Sequence, residues 1–219
     1  MLDDKLNAQM QKIFNKVNGK IGIYAKHIER GKSFVHNPHQ PFFMASTYKI
    51  PIAVKFLSLV AEGDLALDQH IYFKETDIRC GSGIIKNNQD YLKNGISLKE
   101  LFHLMMIYSD NTATDLIFKI INGPEEVNQY MHQIGIHDIS VHRTTLKILA
   151  DFSGIENLPS DEQITMDAFS DLEKAITEST KRKAAKNFFI DYQDTATPES
   201  MGILLEKIIS GSILSDEHT

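Results

Sequence analysis

The chain has 219 residues, 42% of them hydrophobic and 24% charged, with a formal net charge of −6 at pH 7. That is enough chain for a real core in one domain or two interleaved lobes, and the acidic balance argues against a nucleic-acid surface. The single cysteine, Cys80, excludes an internal disulfide, no apolar run reaches the length of a membrane span, and Met1-Leu2-Asp3-Asp4-Lys5 does not read as a signal peptide.

In chain order, Leu6, Met10, Ile13, Phe14 and Val17 predict an amphipathic helix over 3–17, closed by Asn18-Gly19. Alternation over 21–28 predicts a strand, Glu29-Arg30-Gly31-Lys32 a turn, and 33–36 a second strand, which together make a hairpin. Ile50, Ala53, Val54, Leu57 and Val60 mark a helix starting at or just after Ser46. Pro51 is tolerated only in the first turns of such a helix, which supports that start. Residues 69–94 read as loop. Ser97-Leu98-Lys99-Glu100 reads as a capping box opening a helix with Leu101, Leu104, Met105 and Tyr108. A second helix is expected over 112–121, with Ser109 on the tight connection between the two. Asn122-Gly123-Pro124 stops one helix and starts the next, which Gly135 closes. Further helices are expected near 165–177 and after Thr197-Pro198. Lys181-Arg182-Lys183 with Lys186 reads as a solvated helix face. His132, His137 and His142 match no metal signature, and neither a metal nor a cofactor is expected.

Ser46-Thr47-Tyr48-Lys49 carries the chemistry of interest. Residues three apart share a helix face, so the spacing brings Ser46 Oγ to Lys49 Nζ. A serine hydroxyl is a poor nucleophile until a base takes its proton, and a neutral lysine is such a base. An exposed lysine titrates at ~10.4, so about one in a few thousand is neutral at pH 7. Bringing it to ~7 takes about 4–5 kcal/mol, supplied by burial and nearby cations. Taken alone, Ser-x-x-Lys at a helix start is ordinarily an N-cap followed by a solvated lysine. Ser109-Asp110-Asn111 alone is ordinarily another cap with two turn residues.

Together, however, Ser-x-x-Lys and Ser-Asp-Asn form the pattern of class A β-lactamases and penicillin-binding proteins, and this chain resembles that family. Phe43-Met44-Ala45 before Ser46, the stretch 62–68, Gly81-Ser82-Gly83 and Thr195-Ala196-Thr197-Pro198 are also similar to it, so the likeness runs from Ile21 to Leu214. The resemblance implies an α+β fold, a helical lobe plus an α/β/α sandwich, here helix-rich with an incomplete antiparallel sheet. It implies a single β-lactamase-like domain over 1–219, C-terminally incomplete. Residues 20–37 would form a hairpin of the sheet, 46–143 the helical lobe and 144–194 a divergent region. It further implies that Ser46 attacks a β-lactam or peptide-like carbonyl, that Lys49 accepts or relays the proton, and that Ser109 passes a proton to the leaving nitrogen. Asn111 would bind the substrate amide and hold Lys49, and Asp110 would brace the turn. The oxyanion hole would use the Ser46 N–H and a second N–H from a further strand.

The chain departs from the family in two places. After Arg143 it has no string of a glutamate, two residues, a leucine and an asparagine, which positions the deacylating water; Glu156 is the nearest substitute. The family's Lys-Thr-Gly does not occur in these residues. Losing an oxyanion donor costs ~10²–10³ in rate, so these residues alone are expected to catalyse poorly. A lone hairpin with an open edge also predicts self-association. The expected partner is a small-molecule β-lactam or a peptidoglycan-like peptide. The alternatives are a penicillin-binding or peptidase-like acyl enzyme that releases slowly, a serine-dependent glutaminase, which fits less well, and a non-catalytic binding protein on the same scaffold. Most of the family is exported.

Overall fold

The computed structural model describes residues 4–160 and 163–214. Its core is built around α2 (Lys49–Glu62), which packs against α4 (Leu98–Ile107), α5 (Asn111–Ile120) and α6 (Pro124–Gln133). The sequence stripe understates how central α2 is. Ile52, Ala53, Val54 and Phe56 are all buried, while Ile50, Leu57 and Val60 lie partly buried at the edge of the same core. A helix apolar nearly all round has no solvent face to keep, so it becomes the axis about which its neighbours pack.

Around this body run α1 (Asp4–Phe14), the short α3 (Asp90–Asn94), α7 (Thr145–Ser153), α8 (Met166–Ala175), α9 (Glu178–Phe188) and α10 (Pro198–Ile209). Several starts are fixed by side-chain caps: Ser97 for α4, Asp110 for α5, Thr144 for α7, Thr165 for α8, Thr177 for α9 and Thr197 for α10 each accept from a backbone N–H three residues on. Among the described residues, no helix is long and apolar enough to cross a membrane.

The described strands form three separate antiparallel pairs. β1 (Ile23–His27) and β2 (Lys32–His36) make the expected hairpin, with Ile23 opposite His36. β3 (Phe42–Phe43) pairs with β6 (Thr195–Ala196), and β4 (His70–Ile71) with β5 (Ile96–Ser97). The fold is therefore α+β and helix-rich, with little sheet.

Several expected boundaries move. The first helix ends at Phe14, short of Val17, and Asp3 lies outside the described residues. The first strand begins at Ile23, two residues later than expected. α2 begins at Lys49 because a separate 3-10 turn, Ala45–Tyr48, carries Ser46. α5 begins at Asn111, since Asp110 supplies its cap. Residues 69–94 hold β4, α3 and two 3-10 turns, pieces too short to show a period. The divergent stretch is mostly helical. α7 and α8 build a small second core with Leu146, Ala150, Ile155, Ile164 and Phe169, and the basic cluster rides on α9.

Asp115, 2% exposed on α5, ties the parts together. It accepts from Arg79 Nε at 2.6 Å and from the backbone N–H groups of Thr145 and Leu146 at 2.6 and 3.1 Å. One carboxylate thus joins the loop after β4, the central helix pair and the start of α7. Removing one partner of a buried pair leaves the other charge uncompensated. Asp115→Ala is expected to lose about 3–5 kcal/mol of stability in urea unfolding; a loss within ordinary surface-substitution scatter contradicts this role.

Candidate active site

Ser46 sits in the 3-10 turn ahead of α2 and is exposed. The turn is anchored from behind. Met44 N–H donates to the Asp194 carbonyl at 3.0 Å, and Thr47 Oγ1 donates to the Met44 carbonyl at 2.6 Å. Ala45, immediately before Ser46, has φ +45°. Ser109, on the α4–α5 connection, has φ +52°. Among the described non-glycine residues only Asn37 and Asn122 also have positive φ, and asparagine tolerates that region while alanine and serine do not. Backbone strain is therefore held at the two places where Ser46 and Ser109 are aimed.

Lys49 opens α2 and is 3% exposed. Its Nζ donates to the Ser109 carbonyl at 2.6 Å, to Ser109 Oγ at 2.9 Å and to Asn111 Oδ1 at 3.1 Å. Ser109 Oγ in turn donates to Ser46 Oγ at 3.0 Å. The direct Ser46–Lys49 hydrogen bond expected from their spacing is not formed among the described residues, where Lys49 Nζ is taken up by Ser109 and Asn111. The connection runs instead through Ser109, so that Ser46, Ser109 and Lys49 form a chain of three polar atoms ending on a buried amine. Asn111 is fixed by its own Nδ2, which donates to the Cys80 carbonyl at 2.9 Å.

Burial lowers Lys49 to about 8, against the opposing pull of Asp110 and Asp115. The neutral fraction at pH 7 is then about one in ten. No neighbouring cation is needed for this; removal from water does it.

Asp110 braces the turn in full. Oδ1 accepts from Ala113 N–H at 3.0 Å, and Oδ2 from Ile84 and Ile85 N–H at 2.7 and 3.0 Å. The loop around Gly83 is thereby clamped over the start of α5. Asn111 N–H donates to the Ser82 carbonyl at 3.0 Å, closing the same contact.

Glu156 is not part of this cluster. It is exposed and lines a separate cavity between α7 and α9. Thr145 holds a buried position instead, with its hydroxyl 2.5 Å from Tyr48 Oη. His132 and His137 pack ring against ring at 5.3 Å, and His142 Nε2 meets Ser140 Oγ at 2.7 Å. Among the described residues no three His, Cys, Asp or Glu side chains are grouped to hold a metal.

Asp115 and the Arg143–Asp194 pair do not announce themselves in the sequence. Arg143 Nε donates to Asp194 Oδ2 at 2.5 Å, and the other Asp194 oxygen accepts from the N–H groups of His142 and Arg143 at 2.9 and 3.2 Å. The one available signal is positional. Likeness to the family stops at Arg143 and resumes beside Asp194, which is where the two ends of the divergent stretch are pinned together.

The model of the β-lactamase enzyme family matches residues 5–219. An imipenem-hydrolyzing β-lactamase of Enterobacter cloacae is 27% identical over 202 residues, covering 92% of this chain and 56% of that protein. A β-lactamase of Bacillus subtilis (strain 168) is 30% identical over 131 residues, 60% of this chain and 41% of that one. Among solved structures, an ancestral class A β-lactamase superposes with a TM-score of 0.72 at 21% identity, covering 97% of this chain and 67% of that chain. A β-lactamase from Chitinophaga pinensis DSM 2588 also gives 0.72 at 21% identity, with 98% and 66% covered. The chain spans about half the length of the curated relatives it matches.

The clamp at Asp110 yields a specific expectation. Gly83 has φ +123°, and a Cβ there would stand 2.3 Å from Asp110 Cγ and 2.8 Å from its Cα. Gly83→Ala should cost at least about 3 kcal/mol. An unchanged urea midpoint would show that the loop is not held as described.

Proposed function

Because the chain belongs to the β-lactamase enzyme family, we propose that it is a serine hydrolase acylated at Ser46 by β-lactams, whose amide it cleaves. The observation that carries this reading is the continuous contact from Ser46 Oγ through Ser109 Oγ to the buried Lys49 Nζ. Ser46 Oγ attacks the lactam carbonyl carbon and gives its proton to Ser109 Oγ, while Ser109 passes its own proton to neutral Lys49. The tetrahedral intermediate collapses with rupture of the C–N bond. The ring nitrogen then takes the proton back from Lys49 through Ser109. Asn111 holds the amine and offers its amide to the substrate side chain. Hydrolysis is completed when water attacks the Ser46 ester.

A second reading within the same chemistry is a penicillin-binding or peptidase-like acyl enzyme that acts on a peptidoglycan-like peptide and releases it slowly. It is favoured by one observation. Among the described residues, no carboxylate is hydrogen-bonded to Ser46, Ser109 or Lys49, since Asp110 and Asp115 spend their oxygens elsewhere. Fast deacylation needs such a base for the water.

The two readings separate by intact-protein mass spectrometry after incubation with a penicillin. A Ser46-dependent adduct that decays with turnover supports the hydrolase, and one that persists supports the slow-release enzyme. A folded protein that never forms the adduct, matching Ser46→Ala, removes both and leaves a non-catalytic binding protein. Ser109→Gly keeps the left-handed backbone but deletes the relay, so it should fold normally and acylate ~10²–10⁴-fold more slowly.

The pH dependence has a definite sign. Lys49 is lowered from 10.5 to about 8 in the fold. Acylation should rise as pH approaches about 8 and level above it, and between about 8 and 10.5 the unfolded chain binds the extra proton, so stability should rise with pH across that window. A pH-independent acylation rate from about 6 to about 9 would contradict Lys49 as the proton acceptor.

We also propose self-association at the hairpin. In its support, among the described strands β1 and β2 pair only with each other, and an apolar groove of ≈ 370 Å³ lined by Tyr24, Phe42, Met201 and Leu205 lies beside β1. Size-exclusion chromatography should show a concentration-dependent dimer; a monomer throughout overturns this part of the reading.

A further inference from the structure

A cavity of ≈ 500 Å³ lies between α7 and α9, in the stretch where likeness to the family lapses. Its size is that of a small-ligand site. Arg143 lines it and is itself 4% exposed. Three of its contacts are spent on Asp194, Asp151 and Asp191, and the guanidinium lies 4.5 Å over the Phe188 ring. Its Nη2 is buried with no hydrogen-bond partner, the one such side-chain atom among the described residues. A buried donor of this kind is costly to leave unmet, and such exceptions call for an explanation.

The opposite wall is one face of α9. Thr180, Lys183 and Asn187 are spaced by three and four residues, so they stand in a row. Lys183 and Asn187 are exposed and make no ion pair or side-chain hydrogen bond among the described residues. α9 can come this close because α7 ends on Gly154, at φ +81°, where a Cβ would lie 3.0 Å from Ala184 Cβ. Glu156 faces the same space, exposed and without a partner among the described residues.

The charges choose the ligand. Four carboxylates, Asp151, Glu156, Asp191 and Asp194, stand against three cations, Arg143, Lys147 and Lys183, with Lys147 on Asp151 at 2.8 Å. A dianion would add to an existing excess of negative charge. A plain cation would leave Lys183 and Asn187 of the α9 row without a partner. A molecule with both a carboxylate and an ammonium group meets both needs.

We infer that this cavity binds a small zwitterion of the α-amino-acid or dipeptide class, its carboxylate toward Arg143, Lys183 and Asn187 and its ammonium toward Glu156 and Asp191. The site is separate from Ser46, and its occupancy does not depend on the acylation chemistry. Its floor residue Arg143 is bonded to Asp194, whose carbonyl holds Met44 and hence the turn that carries Ser46.

The test is calorimetric titration of the whole chain with glycylglycine, beside N-acetylglycylglycine, glycylglycine amide and sulfate. Glycylglycine should bind saturably, and each capped analogue should bind at least about tenfold more weakly. Lys183→Ala and Glu156→Gln, both at exposed positions, should each weaken binding by about tenfold, while Ser46→Ala should bind as the parent does. Absence of saturable binding up to about 10 mM overturns the inference. So does sulfate binding as tightly as glycylglycine, which would make this a plain anion site. Loss of binding in Ser46→Ala with none in Lys183→Ala would place the ligand at the serine instead, leaving the acyl-enzyme reading intact.

Discussion

Lys49 is a cation placed where the interior is least willing to hold one, at the root of the central helix. Its three hydrogen bonds, to the Ser109 carbonyl, Ser109 Oγ and Asn111 Oδ1, are what make that burial tolerable. A carbonyl and a hydroxyl from one residue converge on the amine because the chain at Ser109 turns left-handed. That turn persists because Asp110 fastens both its own helix and the facing loop. The same desolvation that makes the amine expensive also lowers its proton affinity, so the stability cost and the lowered pKa have a single cause. Asp110 and Asp115 limit the shift from the other side.

The positioning of Ser46 depends on a second buried contact farther away. Asp194 is fully buried and bonded to Arg143 through its side chain, while its carbonyl holds Met44. β3 and β6 pair at the same place. The turn bearing Ser46 is thus fixed by residues that arrive only after the long divergent stretch has been traversed. Phe43 and Phe152 both meet Phe188 edge-on, so aromatic packing supports the junction on its outer side.

What could be read from the sequence follows from which interactions are local. The helices from Lys49 to Gln133 carry strong apolar periods and recognisable caps, and these survive folding with shifts of one to three residues. Ser46, Lys49, Ser109 and Asn111 were identifiable as a group because their spacing matches a family pattern, and the fold brings all four within one hydrogen-bonded cluster. The order of contact was not legible. Helical spacing pairs Ser46 with Lys49, whereas the left-handed Ser109 sets its hydroxyl between them, and a single left-handed residue leaves no period in the sequence. Asp115, Arg143 and Asp194 were equally hidden, since a buried carboxylate or guanidinium reads like any surface charge until its distant partners are known. Glu156 was the reverse case: a plausible acid by position, placed by α7 in a different cavity.

The Arg143–Asp194 pair closes a span of 51 residues at a single point. The stretch between is tied to the body at further points as well, by Asp115 holding the N–H groups of Thr145 and Leu146 and by Phe188 against Phe43. The entropic cost of closing such a span grows only with the logarithm of its length, about 0.6 kcal/mol for each doubling. Three helices can therefore occupy this position at little entropic cost to the closure. Added length inside the stretch therefore costs little, while a substitution at Arg143 or Asp194 reaches the turn that carries Ser46 through the Asp194 carbonyl bonded to Met44.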